Sequence, residues 1–102
     1  MIIICPIHGA TEATMVAPDV AENLERGLSS EGFIVVGYEC MGDLLHSYFL
    51  SPLFASRHGI TRSIREELPD DYPPFVFECK GYCRKCFEDK TGLNVTDVEA
   101  SI

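Results

Sequence analysis

The sequence predicts one small domain of the α+β (or small α/β) class, with a single sheet layer of three or more short strands and three to four helices. Three observations favour this class. The chain has 102 residues, which is a usual size for one domain. Hydrophobic residues make up 46% and charged residues 24%, as in folded globular proteins rather than disordered ones. Short apolar runs also alternate with segments of helical periodicity along the chain.

The first part of the chain predicts two strands separated by a helix. Met1–Cys5 is a β-branched run that ends at a proline, which is typical of a strand. Residues 11–16 either pair back onto this strand as a hairpin or form a loop. A helix fits residues 19–30, because apolar residues recur every four positions up to Leu28. The apolar run at residues 33–40 predicts a central strand.

The second part predicts three short helices and a third strand. The helices cover residues 43–50, 52–58 and 61–68, and each ends near a proline or a glycine. Three prolines between residues 69 and 74 predict a loop. The apolar run at residues 75–79 predicts a strand, which a cysteine-rich turn follows.

The C-terminal segment contributes little to the predicted core. A short helix fits residues 87–90, and the polar residues from Asn94 onward predict a flexible tail. We therefore expect residues 1–93 to form the folded domain and residues 94–102 to be the tail.

Charge and cysteine content narrow the classes of function. Sixteen acidic residues against eight basic ones give a net charge of −8, which disfavours general binding to nucleic-acid phosphates. No apolar run approaches the roughly 20 residues that span a bilayer, and no signal-peptide pattern occurs, so we expect a cytoplasmic protein without a membrane segment. Five cysteines in a reducing compartment favour metal ligation over disulfides.

Two short motifs carry the strongest chemical signal. Cys5 and His8 are separated by two residues, and so are Cys83 and Cys86. This spacing lets one tight turn direct two ligands at one ion, and two such turns supply the four tetrahedral ligands that Zn²⁺ prefers. A proline after the first cysteine stiffens the first turn, and Gly9 permits a positive φ there.

The segment CPIHG resembles one knuckle of the zinc-ribbon and treble-clef class of proteins, and GYCRKC resembles the second. The resemblance covers about ten residues and implies Cys5, His8, Cys83 and Cys86 as ligands of a structural Zn²⁺. It also implies that the metal joins the N-terminal and C-terminal knuckles across the domain. Residues 9–82 separate the two knuckles, and the second one lacks the proline and glycine that flank the first.

Basic residues concentrate around the second knuckle. Lys80, Arg84, Lys85 and Lys90 make up half of all the basic residues of the chain. Nearby cations favour deprotonated sulfur and would support a centre of three thiolates. Alternatively, these side chains are solvated residues of a turn.

The other cysteines leave alternatives open. Cys5, Cys40 and Cys79 each end a predicted strand, and their sulfurs would meet at one sheet edge if the strands were parallel. Cys79 with Cys83 and Cys86 also has the CxxxCxxC spacing of radical S-adenosylmethionine enzymes, although the chain has no room for their barrel. A thioredoxin-like role for the CxxC pair would require a long helix after it, and little chain remains.

Catalytic motifs are not recognisable in the sequence. His46 and His58 lie in predicted helices, where a structural role explains them. The loop at residues 70–75 combines acidic and aromatic side chains and is a candidate docking surface for a basic partner, or it is a turn whose Tyr72 packs on the sheet.

We therefore expect a small acidic protein with a structural zinc site that acts as a protein-interaction module or as an inhibitor of a basic protein partner. Immunity proteins and antitoxins provide the analogy. One alternative is a zinc-knuckle nucleic-acid module, which would use the cations of the second knuckle with Tyr82 and Phe87 as stacking groups. A second alternative is a small thiol- or metal-dependent enzyme.

Overall fold

The computed structural model describes residues 1–28, 32–40 and 44–102. Within these ranges it is a mixed α/β protein, and none of its helices has the length and apolar character needed to cross a membrane. In chain order the elements are β1 (Ile2–Cys5), β2 (Gly9–Val16), α1 (Pro18–Glu25), β3 (Ile34–Cys40), β4 (Leu44–Leu50), α2 (Pro52–Arg57), β5 (Ile64–Glu67), α3 (Pro74–Glu78), β6 (Lys80–Cys83), α4 (Arg84–Thr91) and α5 (Val95–Ser101).

The six strands form one open sheet in the order β1-β2-β4-β3-β5, with β6 paired to β2. β1 with β2 and β3 with β4 are antiparallel hairpins, and β6 is antiparallel to β2. The β2–β4 and β3–β5 pairs are parallel. The predicted α+β class with a single sheet layer is confirmed. Of the two alternatives left open for residues 11–16, a hairpin or a loop, the structure has the hairpin.

Helices pack on both faces of this sheet. Tyr48 and Phe49 are successive residues of β4 and therefore point to opposite faces. On one face Phe49 contacts Phe87 of α4, with ring centroids 4.9 Å apart. On the other face Tyr48 contacts Phe75 of α3 at 5.7 Å. All four rings are buried, so the sheet separates two aromatic clusters of the core.

The first helix is shorter than predicted because a glycine ends it. Gly27 has a φ of +72°. Its N–H donates to the carbonyl of Leu24, and the N–H of Leu28 donates to the carbonyl of Asn23. This pair of bonds is the Schellman motif that closes helices at a left-handed residue. Leu28 therefore lies beyond the helix, and the predicted helix end at Ser30 falls outside the described residues.

Two segments predicted as helices are strands. Residues 44–50 pair with β3 along their whole length, from Leu44 opposite Cys40 to Leu50 opposite Ile34. Residues 64–67 pair with β3 on its other side in parallel. Pairing with a central strand gives the backbone groups of both segments their partners, and this tertiary gain outweighs weak local helix propensity. The predicted start of the first of these helices at Asp43 lies outside the described residues.

The strand predicted over residues 75–79 is instead the helix α3. Pro73 precedes it and Pro74 occupies its first position, where the fixed φ of proline suits a helix start. The N–H of Cys79 donates to the carbonyl of Phe75 at 3.2 Å. The next segment, predicted as a turn, contains strand β6, whose lysine and glycine gave little strand signal.

The segment predicted as a flexible tail forms helix α5 and packs on the sheet. The Asn94 side chain accepts a hydrogen bond from the N–H of Asp97 and caps the helix. Val95 is fully buried. Ser47 of β4 donates a 2.7 Å hydrogen bond to Glu99, which fastens the polar side of the helix to the sheet. The polar composition of this segment gave no sign that Val95 would be buried or that Asn94 would cap a helix.

Candidate metal centre

The first knuckle is the turn between β1 and β2. Cys5 ends β1 and pairs with Gly9 at the start of β2. Gly9 has a φ of +71°, the left-handed conformation for which the sequence predicted a glycine. The backbone N–H of Ile7 points at the Cys5 sulfur, 3.4 Å away. The turn thus places Cys5 and His8 on the same side of the hairpin.

The second knuckle is the junction between β6 and α4. Cys83 ends β6 and caps α4, and its sulfur accepts a hydrogen bond from the N–H of Cys86 at 3.4 Å. Because Cys83 caps the helix, α4 begins three residues before the predicted short helix at Phe87.

Strand pairing brings the two knuckles together. β2 leads out of the first knuckle, β6 leads into the second, and the two strands pair side by side. Ala13 of β2 lies opposite Cys83 of β6. The long insertion between the motifs therefore does not separate them in space. The chain comes back as strand β6, which runs alongside β2 and leads directly into the second CxxC turn.

The four side chains lie at the spacing of a tetrahedral metal shell. One ligand atom from each of Cys5, His8, Cys83 and Cys86 lies within 4.8 Å of the other three. The Nδ1 atom of His8 is 3.7, 3.5 and 3.4 Å from the sulfurs of Cys5, Cys83 and Cys86. The sulfurs of Cys5 and Cys86 are 3.5 Å apart.

Ideal zinc geometry gives nearly the same values. Tetrahedral bonds of about 2.3 Å to sulfur and about 2.0 Å to nitrogen place two sulfurs about 3.8 Å apart and a sulfur and a nitrogen about 3.5 Å apart. Four of the six edges, the three from Nδ1 of His8 and the one between the sulfurs of Cys5 and Cys86, lie within about 0.3 Å of these values. All six are within 4.8 Å, so the cluster could hold a metal ion.

The cysteines of this cluster are free thiols. All five cysteines are unpaired. The 3.5 Å between the Cys5 and Cys86 sulfurs is far longer than the roughly 2.05 Å of a disulfide bond. The arrangement matches ligands that face a shared ion rather than a redox pair in its oxidised form.

Hydrogen bonding and burial act in opposite directions on two of the thiols. Backbone N–H groups of His8 and Ile7 stabilise the Cys5 thiolate and lower its pKa from the ordinary 9.0 to about 6. Burial raises the pKa of Cys86 to about 12, and contacts with the sulfurs of Cys5 and Cys83 add to this rise. A metal ion that binds all four groups must therefore displace a proton from Cys86.

Asp89 contacts the outer side of the histidine, and sequence reasoning missed this residue. Its carboxylate lies 3.7 Å from Nε2 of His8, while Nδ1 faces the sulfurs. Metal-binding histidines usually direct their second nitrogen at a carboxylate, which fixes the ring and its tautomer. Asp89 lies on α4 one turn beyond Cys86, and one exposed acid among sixteen gives no sequence signal by itself.

The cations of the second knuckle divide into two groups. Lys80 and Lys85 are exposed, as expected of solvated turn residues. Arg84 donates to the Thr14 hydroxyl and approaches a carboxylate of β2 at 3.8 Å. Lys90 donates to the Tyr82 hydroxyl at 2.8 Å and to the carbonyl of Leu24 at 3.3 Å. The described partners of Arg84 and Lys90 therefore lie outside the four-residue cluster.

The aromatic residues suggested as base-stacking groups do not have free faces. Phe87 is fully buried and lies between Phe33 and Phe49 in the core. Tyr82 is 8% exposed and is held by Lys90. The two rings are therefore not available to stack on bases, as the nucleic-acid interpretation requires.

Cys40 and Cys79 lie outside the four-residue cluster. Cys40 ends β3 and pairs with Leu44, and Cys79 follows α3. The hypothesis that three strand ends gather their sulfurs is therefore wrong, since Cys79 follows a helix rather than a strand and β1 pairs with β2 in an antiparallel hairpin. Cys83 and Cys86 are grouped with Cys5 and His8 rather than with Cys79, which disfavours the CxxxCxxC interpretation.

The two histidines outside the cluster have structural surroundings. His58 follows α2, and its Nε2 lies 3.0 Å from a carboxylate oxygen of Glu78. Its ring packs against Phe54 at 4.7 Å. His46 lies exposed on β4 rather than on the predicted helix.

Comparison with protein-family models, with curated proteins and with solved structures found no match. The geometry of the site therefore carries the functional argument.

Proposed function

We propose that Cys5, His8, Cys83 and Cys86 bind one structural Zn²⁺. The observation that carries this proposal is the convergence of the four ligand atoms within 4.8 Å, with three sulfur–nitrogen separations and one sulfur–sulfur separation close to the edges of a zinc tetrahedron. Three cysteines and one histidine are also a donor set that selects zinc over magnesium or calcium, because those hard cations prefer oxygen ligands.

The structural role follows from the number of ligands. Four protein ligands fill a tetrahedral shell and leave no position for the water or substrate that a catalytic zinc requires. The ion would fasten the β1–β2 hairpin to the β6–α4 junction. A domain of this size buries only roughly two-thirds of its unfolded surface, so such a link supplies stability that the core alone provides weakly.

The domain so stabilised acts, in this proposal, as an interaction module for a basic protein partner, in the manner of immunity proteins or antitoxins. The net charge of −8 supports this partner, because charge complementarity steers association and suppresses wrong partners. The burial of Tyr82 and Phe87 disfavours the alternative of a nucleic-acid module.

Metal analysis of purified protein tests the zinc site. We expect stoichiometric zinc in the wild-type chain and in Cys40→Ser, whose thiol lies outside the cluster. Cys86→Ser should lose the metal. Equal zinc in all three proteins, or no zinc in the wild type after purification without chelator, would reject the assignment of these four ligands.

A further inference from the structure

Tyr72 and Phe77 form an aromatic pair on the surface. Phe77 on α3 is 76% exposed and Tyr72 in the preceding loop is 38% exposed. Their rings meet edge to face, with centroids 6.4 Å apart. Exposed aromatic pairs are uncommon on monomer surfaces and are enriched where partners bind, since they offer a large contact area with few rotatable bonds.

Core contacts support Tyr72 and the helix that carries Phe77. Tyr72 contacts Tyr38 of β3, which is 2% exposed, with centroids 6.4 Å apart. The neighbouring Glu78 lies 3.0 Å from the His58 ring nitrogen, which ties α3 to the end of α2. Two prolines fix the start of α3. A preorganised surface loses little conformational entropy when a partner binds.

The surroundings of this pair are acidic. Between residues 66 and 78 the chain has five acidic side chains and no basic one, and all five are exposed. Glu66 lies beside Tyr38 in the register of β5 with β3, and its charge helps to raise the pKa of Tyr38 after burial, the larger cause. The two rings with these neighbours form what we call the acidic aromatic patch: Glu66, Asp70, Asp71, Tyr72, Phe77 and Glu78.

We propose that the acidic aromatic patch binds an arginine-rich segment of a protein partner. This inference rests on the proposed role in binding a basic protein, and it names the surface and the side chain that is recognised. A guanidinium group stacks flat on an aromatic face and pairs with carboxylates at its edge, which are the two features that the patch combines. Lysine has a compact, strongly hydrated charge, which can pair with the carboxylates but does not stack flat on a ring.

Peptide binding to the zinc-loaded full-length chain tests the proposal. Fluorescein-labelled nona-arginine and nona-lysine peptides carry equal charge, so the net negative charge of the protein attracts both of them. Fluorescence anisotropy at about 50 mM and about 150 mM salt separates this general attraction from the specific one, because screening weakens exposed charge pairs. We expect nona-arginine to bind about fivefold more tightly than nona-lysine, from one stacked guanidinium.

Two substitutions locate the binding surface. Phe77→Ala should remove most of the preference for arginine and leave nona-lysine binding almost unchanged. Ile4→Ala is the matched control, since Ile4 is 79% exposed on β1 and lies outside the patch. Thermal denaturation of both variants verifies that they remain folded, which is expected for such exposed positions.

The outcomes separate this inference from the broader proposal. An arginine preference that Phe77→Ala abolishes and Ile4→Ala retains supports the patch. Basic peptides that bind with equal affinity, or whose binding neither substitution alters, would overturn the patch but leave a basic partner bound elsewhere. If neither peptide binds at about 50 mM salt, both the patch and the basic-partner role are wrong, while the zinc site is judged by metal content alone.

Discussion

Replacing Cys86 with serine should destabilise the protein by an amount that the position of the ligands determines. A metal held between Cys5 and Cys86 closes a loop that contains most of the chain. Treated as a cross-link, closure of a loop of this length restricts the unfolded state by about 4.5 kcal/mol. A native domain is stable by only about 5–15 kcal/mol, so this single link is a large share of the total.

The expected change in melting temperature follows from this free energy. For a domain of this size about 1 kcal/mol shifts the melting temperature by about 4–8 °C. Loss of the metal link should therefore lower it by about 20–35 °C. Cys40→Ser is the control, because Cys40 is half-buried on β3 and lies outside the cluster.

Circular dichroism with and without EDTA measures the effect. EDTA should lower the melting temperature of the wild type and of Cys40→Ser by similar amounts and have little effect on Cys86→Ser, which has already lost the ion. This non-additivity is the signature of two perturbations that remove one interaction. A wild-type melting temperature that EDTA leaves unchanged, with metal removal verified, would refute the reasoning, and so would equal destabilisation by both serine substitutions.

Three further predictions follow from individual contacts. Asp89→Asn should weaken zinc affinity about two- to fivefold in competition with a chromophoric chelator, because its exposed carboxylate lies 3.7 Å from Nε2 of His8, beyond hydrogen-bond distance; unchanged affinity would contradict that contribution. Burial raises the pKa of Tyr48 from 10.0 to about 12, so the native ring keeps its proton while the unfolded ring ionises, and stability falls as pH rises from 10 to 12. Tyr48→Phe should flatten that fall in urea titrations; an identical fall would disprove the assignment. Val95→Ala should cost about 2 kcal/mol of unfolding free energy if α5 is docked, and no cost would indicate a loose tail.

Local chemistry made the knuckles predictable. Both turns share the two-residue spacing, and in the first turn the proline and the positive φ of Gly9 also help to direct the ligands; all three are properties of neighbouring residues. The β1–β2 hairpin follows from the same short stretch. The sequence could not show how residues 9–82 bring the two turns together, because that depends on the pairing of β2 with β6, a contact between distant segments.

The errors in secondary structure share one physical cause. Residues 44–50 and 64–67 lack a decisive period, and their conformation is set by hydrogen bonds to β3 rather than by local propensity. Helix α5 depends on one buried valine and one contact to Ser47, which a polar composition does not reveal. Local signals, by contrast, were sufficient to predict α2. This helix begins at Pro52, directly after its serine cap.

The role of Asp89 illustrates the same limit at the site. Its contact with His8 depends on two things. The β1–β2 turn sets the orientation of the His8 ring, and the second knuckle sets the position of α4, which carries Asp89. No spacing rule connects a residue to a partner that lies at the other end of the chain. Such supporting contacts become visible only when the two knuckles are placed together.

X-ray absorption at the zinc K-edge of the protein as purified tests the central claim most directly, because it reports the atoms bound to the ion. We expect a shell fitted by three sulfurs at about 2.3 Å and one nitrogen at about 2.0 Å. A shell of oxygen and nitrogen atoms alone, or a protein that shows no zinc edge, would contradict it.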